Sequence, residues 1–289
     1  MSLLSANLQA FLAICEYKTV HAAADSLFLT QTAVTQRIRS LEQQLKATLF
    51  IRSRRGMLLT NEGEALLRYC KAANTLEGEA LAHIKKSGVE AIAKIRISGP
   101  TSIMSSRIVP QTSLALKNYP QLFIQFDMND GEEDYLLHEL RTGQSDLVII
   151  SPEQIGKEIK SKKLQPENYI LVCSAKWKRR KLKDILQAET IIDFNPSDQL
   201  TFQYLKKFNL FDLAKHERHY ANRTEILARM IIEGLGYGVL TKEFSKPFIE
   251  RGELHILNQG HIFENHLVLA WYDRPEPTPY FKKLTENLK

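Results

Sequence analysis

Cysteine is scarce in this chain of 289 residues: Cys15, Cys70 and Cys173 stand far apart and form no C-x-x-C pair. That spacing excludes a disulfide framework and a cysteine-based zinc site, and it suits a reducing compartment. A thiol sensor would need two partners or one activated thiolate, so buried apolar cysteines are the plainer reading. The eight histidines show no H-E-x-x-H or similar spacing; His216, His219, His255, His261 and His266 are scattered, and no metal site is expected. No apolar run approaches the ~18 residues of a membrane span. The opening stretch MSLLSANLQAFLAICEYK lacks a basic leader and is interrupted by Asn7, Gln9 and Glu16. It reads as a soluble helix rather than a signal peptide, so the expected location is cytoplasmic, away from membranes. There is no internal repeat and no low-complexity tract.

What is present is an ordinary globular balance, 44% apolar and 25% charged, in a length that suits roughly two domains of about 150 residues. The net charge of +6 is not evenly spread. Residues 1–60 hold seven Lys and Arg against three Asp and Glu, which is four of the six excess charges in about a fifth of the chain. A basic N-terminal piece favours an anionic partner.

The stretch LTQTAVTQRIRSLEQQL, residues 29–45, places Val34, Ile38, Leu41 and Leu45 at alternating four- and three-residue intervals, one face of a helix. Its other face shows Gln31, Thr32, Thr35, Gln36 and Arg39. A merely solvated face would more usually carry Glu and Lys. Upstream, residues 5–17 form an amphipathic helix and VHAAADSL a second, with Phe28 and Leu29 filling a short turn and Thr30 suited to N-cap the third. Helix, short turn, helix is the helix-turn-helix arrangement. In it the first turns of the second helix meet base edges: Gln can pair with adenine, Arg with guanine, and Thr can bond an edge or touch a thymine methyl. Gln31, Thr32, Thr35, Gln36 and Arg39 are therefore direct-readout candidates. After Leu45, two short apolar pieces flank SRRG, a hairpin tipped with arginines. Arg52, Arg54 and Arg55, with Thr30, are expected to touch phosphates, which sets position and not sequence.

From about 61 to 87 runs a long amphipathic helix striped with Leu66, Leu67, Cys70, Ala73, Leu76, Ala80, Leu81 and Ile84. No nearby small core can use seven turns, so the stripe is expected to pack on a second copy of the chain. From residue 92 short β-rich runs alternate with helices: IAKIRIS, a helix over Ser106–Asn118, LFIQFDM, YLLHELRTG, DLVII, YILVCS, TIIDF, YGVLT and HLVLAWY. That alternation argues an α/β region with largely parallel sheets, in two lobes.

Ala23, Ala24, Leu27, Thr30, Gln31, Ala33, Thr35, Ile38, Leu41, Glu42, Leu45, Leu49, Phe50 and Arg52, followed by Leu59, Thr60 and Gly63, match at fixed spacing the DNA-binding segment of the LysR-type transcriptional regulators. The chain resembles that family over its whole length, and TAVTQRI is closest to the family's ArgP-like branch. Thr32 stands where many members have Pro, and Lys46 replaces the usual glycine after the recognition helix.

The resemblance implies an N-terminal all-α winged helix-turn-helix over 1–60 and a linker and dimerisation helix over 61–88. It further implies a C-terminal α/β two-lobed, periplasmic-binding-protein-like domain over 89–289. Lobe 1 would run over about 89–162 and 267–289 and lobe 2 over about 163–266, with crossovers near Lys162–Tyr169 and His266–Trp271. It implies double-stranded DNA with a dyad-symmetric site as partner, a homodimer through the linker helix, a homotetramer through the α/β domains, and RNA polymerase as a further partner. No cofactor is expected, but a small-molecule co-inducer between the lobes is. Such effectors bind at strand ends and helix N-termini, where free N–H groups favour a carboxylate. The matching places are Pro100, Thr101 and Ser102 after the first strand, where Thr101 and Ser102 can cap the next helix; Asn129 after the second strand; Ser151 after DLVII; Asn195 and Ser197 after TIIDF, at another helix start; and Thr224, at the start of a further helix.

GLGYG at 234–238 follows a helix and precedes a strand, the reverse of the dinucleotide fingerprint, so it reads as a tight connection. The basic run AKWKRRKLKD, with Lys176, Lys178, Arg179, Arg180, Lys181 and Lys183, reads as a solvated or intersubunit surface. An enzyme tethered to DNA lacks any nucleophile–base pair or phosphate loop to support it. A carrier that has lost DNA binding is at odds with intact Gln31, Gln36 and wing arginines.

Overall fold

The computed structural model describes residues 4–53, 56–84, 93–129, 133–273 and 278–289. The chain divides into two compact units: Met1–Arg96 with Pro120–Gln125 and Leu137–Asp146, and Ile97–Tyr119 with Phe126–Leu136 and Leu147–Lys289.

In the first unit, helices α1 (Ala6–Tyr17), α2 (Val20–Ser26) and α3 (Gln31–Leu45) form a three-helix core. Each begins at a hydroxyl cap: Ser5, Thr19 and Thr30 accept from the amides of Leu8, Ala22 and Ala33. Such caps satisfy an otherwise orphaned N–H and contribute about 1 kcal/mol each. Ala10, Phe11, Ile14, Ala23, Ala24, Val34, Ile38 and Leu41 are buried together, and the alanines let the backbones approach. Leu45, expected on the buried face, is 47% exposed. It is the last residue of α3, and the chain turns away at Lys46. Of the turn residues expected to fill the corner, only Leu29 packs on the core, whereas Phe28 takes a left-handed conformation and is 96% exposed.

The wing is the hairpin of β1 (Phe50–Ser53) and β2 (Gly56–Leu59), paired from Phe50↔Leu59 to Ser53↔Gly56. Gly56 has φ 109°, and a Cβ there would strike the carbonyl of Lys18, which accepts from Met57 N at 2.8 Å. The long helix is α4 (Asn61–Ile84), capped by Thr60 Oγ1 accepting from Gly63 N, with Leu67 and Cys70 buried in the same core. Arg54, Arg55 and the end of the linker expected over 61–88 lie outside the described residues, as do the side chains at the far end of the α4 stripe.

After β3 (Ala93–Gly99) come α5 (Thr101–Ile103), a π-helical stretch Met104–Ile108, and α6 (Val109–Asn118). The segment is thus helical from Thr101 rather than from Ser106, with Ile103, Met104 and Ile108 fully buried. Then follow β4 (Leu122–Met128), α7 (Glu133–Arg141), β5 (Leu147–Ile150), β6 (Ile159–Lys163) and β7 (Glu167–Ser174). The order continues α8 (Leu182–Ala188), β8 (Ile191–Asp193), α9 (Leu200–Lys207), β9 (Arg218–Tyr220), α10 (Thr224–Glu233), β10 (Gly238–Thr241) and α11 (Lys242–Glu250). It closes with β11 (Leu254–Ile256), β12 (Phe263–Asn265), β13 (Val268–Tyr272) and α12 (Pro279–Asn287).

One sheet has the order β4-β3-β5-β13-β6; a second is built on β7, with β10, β11 and β12 as its neighbours. The expectation of largely parallel sheets is corrected here. Among the described pairings β3–β5 and β8–β9 are parallel, while β13 runs antiparallel to β5 and β6, and β10, β11 and β12 run antiparallel to β7. The chain passes from one sheet to the other after β6 and returns before β13, and a returning strand enters from the opposite end. The two passages meet at a hydrogen bond from Leu164 N to Leu267 O, 3.1 Å.

GLGYG is a helix-to-strand connection. Gly234, φ 85°, is the left-handed cap of α10, and a Cβ on Gly236 or Gly238 would strike the carbonyl of Thr190 or Ile192. In the basic run, Lys176 pairs with Glu233 and Arg180 with Glu189, and Lys178, Arg179, Lys181 and Lys183 are exposed.

Lys46 closes α3 at φ 52°, ψ 37°, a conformation that costs a side chain roughly 1–2 kcal/mol. Lys46→Gly is expected to raise stability by about 0.5–1 kcal/mol, since glycine's own backbone entropy offsets part of the relief. Urea unfolding would show it as a higher midpoint at unchanged slope; a lower midpoint would mean that the strain is absent.

Candidate nucleic-acid interface and ligand cleft

The burial of Val34, Ile38 and Leu41 turns the opposite face of α3 outward. Thr30, Gln31, Thr32, Gln36 and Arg39 are exposed and Thr35 is half-buried. Gln31 Nε2 lies 3.1 Å from His21 Nδ1, and His21 Nε2 lies 3.6 Å from Asp25. Thr32, Thr35, Gln36 and Arg39 make no side-chain hydrogen bond or ion pair among the described residues. Arg52, exposed on β1, is the wing arginine that the structure describes. Exposed Phe28 stands just before this face, in the short turn that the sequence assigned to it.

The second unit holds a cavity of about 370 Å³, within the range of small-molecule sites. Pro100, Ser102, Asn129, Ser151, Asn195, Ser197 and Thr224, seven of the eight residues named from sequence, border it together. Thr101 does not; it lies inside the helix, and its carbonyl accepts from Ser105 Oγ at 2.7 Å. The capping roles expected for Thr101 and Ser102 are likewise corrected, because the helix begins at Pro100 without a side-chain cap. Ser102 Oγ instead donates to Glu167 Oε1 at 2.7 Å. Asn195 and Ser197 sit before α9 and not at its start: Asn195 Oδ1 accepts from Ser197 N, Ser197 Oγ and Asp198 N in a compact turn.

Sequence reasoning missed the charged part of the wall. Glu167, Asp193 and Asp198 line the cavity, beside Tyr169, Thr241 and Asn265. Glu167 is 3% exposed; besides Ser102 it accepts from Tyr169 Oη at 3.3 Å and from Asn265 Nδ2 at 3.4 Å. Burial pushes its carboxyl above the usual range, opposed by the hydrogen bonds from Ser102 and Asn265 and by the charge of Arg107. Arg107 is itself engaged, donating to the carbonyls of Gln165 and Pro166 and pairing with Glu243 at 3.2 Å. Asp193 is equally buried and is also pushed up by burial, but it accepts from Thr201 Oγ1 at 2.6 Å and pairs with Arg218 at 3.1 Å. Asp198 accepts the amides of Phe194 and Leu200. The only available signal for Glu167 was an ionisable residue opening an apolar strand, which without topology says nothing about a cleft.

Among the described residues no group of three His, Cys, Asp or Glu converges as a metal site would require, and no helix is long and apolar enough to cross a membrane. Burial pushes the thiols of Cys15 and Cys173 up to about 12 and that of Cys70 to about 11, so none is poised as a thiolate near neutral pH.

Residues 5–64 match the family model of the bacterial regulatory helix-turn-helix proteins of the lysR family, and residues 90–289 match the LysR substrate binding domain. A curated relative, the HTH-type transcriptional regulator HdfR of Salmonella newport (strain SL254), is 29% identical over 190 residues, 65% of this chain and 67% of that protein. The solved structure of ArgP from Mycobacterium tuberculosis has a TM-score of 0.79 at 22% identity, covering 99% of this chain and 96% of that one. Full-length LysG from Corynebacterium glutamicum with bound effector Arg has a TM-score of 0.77 at 18% identity, covering 98% and 95%. At those identities the structural likeness shows the shared fold. The two family models cover most of the sequence, and the chain belongs to the LysR-type family: a DNA-binding transcriptional regulator with an effector-binding domain, and not an enzyme.

Proposed function

We propose that this regulator reads a dyad-symmetric operator through the first turns of α3 and is switched by a small molecule held in the cavity of its second unit. Gln31, Thr32, Thr35, Gln36 and Arg39 read base edges in the major groove; Thr30, Arg52, Arg54 and Arg55 hold phosphates. Residues 1–60 are the DNA-binding domain, 61–88 the linker that pairs two copies, and 89–289 the effector-binding domain, which assembles pairs into a tetramer in the cytoplasm. Two-fold related α3 helices require half-sites about one helical turn, ~34 Å, or a multiple apart. RNA polymerase is the further partner through which such a regulator acts. The reading is carried by the open polar face of α3 on the basic part of the chain, where Thr32, Thr35, Gln36 and Arg39 make no side-chain hydrogen bond or ion pair among the described residues.

Pro100, Ser102, Asn129, Ser151, Asn195, Ser197 and Thr224 form the effector wall. Thr101 supports it from within the helix. A ligand there shifts the balance of two arrangements only if it binds them unequally, by about 1–3 kcal/mol in a regulator of this kind. LysG, of the same fold, holds arginine as its effector.

The duplex upstream of the protein's own gene serves as probe. Gln36→Ala is expected to cost about 1–3 kcal/mol on the protected sequence and nothing on random DNA. Arg52→Ala should weaken both duplexes alike and lower the salt slope by about one unit. Equal loss on both duplexes for Gln36→Ala would refute the readout assignment. Thr224→Trp fills the cavity and is expected to abolish any effector-dependent change in the footprint while leaving apo DNA affinity unchanged. A footprint that still responds to effector in that variant would move the effector site elsewhere.

A further inference from the structure

The charge of the cavity wall selects among ligands, and the selection differs from the one that helix N-termini alone suggest. Among the described residues no Lys, Arg or His borders the cavity, whereas Glu167, Asp193 and Asp198 do. We infer that the cleft takes a small ligand carrying a protonated amine, an amino acid or a related amine, and does not take an organic-acid anion; this rests on the reading of the cavity as the effector site.

Of the three carboxylates, Asp193 is neutralised by Arg218. Arg218 is fully occupied, donating also to the carbonyls of Asp198 and Pro196 and stacking on Phe202 and Tyr220. Asp198 spends its oxygens on two backbone amides, which lessens its charge at the cavity without cancelling it. Glu167 has no ion-pair partner among the described residues: the charge of Arg107 bears on it, but that guanidinium is engaged by the carbonyls of Gln165 and Pro166 and by Glu243. The three hydrogen-bond donors to Glu167, Ser102, Tyr169 and Asn265, are all neutral. A buried carboxylate held by neutral donors, with its one nearby cation shared among other acceptors, tolerates ionisation but is only partly compensated; an ammonium would complete the compensation, and a second anion would add repulsion in a poorly solvated place. A bare metal ion fits less well, because no three ligating side chains converge among the described residues. The carboxylate of an amino acid has its own place at the start of α10. There Arg223 provides no side-chain cap and Thr224 faces the cavity.

The test is binding to the full-length protein, by calorimetry, of matched ligands: the common L-amino acids, their 2-oxo acid counterparts with the amine removed, and short aliphatic diamines. The expected result is at least one amine that binds, with its oxo acid weaker by about 30-fold or more, and a similar loss for the amine in Glu167→Gln. If an oxo acid or dicarboxylate binds as tightly as any amine, or if no amine binds at millimolar concentrations, the inference is overturned. The ligand pairs on the unaltered protein decide this even if Glu167→Gln fails to fold. Thr224→Trp separates the two levels of the argument. An anion whose binding it abolishes leaves the cleft as effector site and removes only the charge selection. An amine whose binding it leaves intact removes the cleft reading itself.

Discussion

Val34, Ile38 and Leu41 have one place to go, the core against α1 and α2, and their burial decides which residues of α3 meet solvent. Each such side chain contributes roughly 1.5–3 kcal/mol on leaving water. Turning the helix by one residue, about 100°, would expose this stripe and bury polar groups such as Thr35 and Arg39 in its stead. No interaction on the outer face competes with that penalty. The proposed readout face is therefore held by burial on its opposite side, with Gln31–His21 as its one side-chain hydrogen bond among the described residues, which leaves Gln36 and Arg39 unspent for a partner. The Thr30 hydroxyl cap and the left-handed turn at Lys46 fix where α3 begins and ends, and so how far its polar strip extends.

The second unit obeys a different constraint. Its two sheets are joined by two short passages, and the strands β7 and β13 that follow them have to run against several of their neighbours. The cavity opens beside these passages. Charged groups near them are managed in two ways: Asp193 and Arg218 cancel one another in a buried pair, a costly device that removes charge from the wall. Glu167 keeps its charge in play, at a burial that raises its proton affinity.

Periodicity made the first unit legible. The 29–45 stretch, its cap at Thr30 and the hairpin around SRRG all stand where local pattern placed them, because helix faces and turns are set within a few residues. Lys46 stood out only by comparison with the glycine usual in the resembled family, and its left-handed backbone is what the structure adds. Leu45 and Phe28 could not be ranked as exposed, since both are large and apolar and only tertiary geometry decides whether a neighbour reaches them. In the second unit the strands could be read, but their directions could not: alternation of strand and helix suggests parallel pairing, and only the double passage between sheets turns β13 and the partners of β7 around. Small polar residues at strand ends, such as Ser102, Asn129, Ser151 and Thr224, were legible as a group by their position. Glu167 was not, because its meaning comes from Asn265, nearly a hundred residues later in the chain.

That distant pairing bears on how a ligand is felt. Glu167 receives donors from Ser102 on α5, which follows the first sheet's β3, and from Asn265 on β12 of the second sheet. Arg107 anchors the neighbouring passage through the carbonyls of Gln165 and Pro166 and reaches Glu243 on α11. The carboxylate thus sits where both sheets contribute to one hydrogen-bond set. Any change in its charge balance alters the strength of hydrogen bonds that span the passages, since bonds to a fully ionised acceptor are about twice as strong as neutral ones. An occupant that favours the ionised form would tighten Ser102 and Asn265 onto the same group; one that favours the neutral form would loosen them. Ligand recognition in the proposed cleft and hydrogen bonding between the two sheets therefore meet at one group, the Glu167 carboxylate.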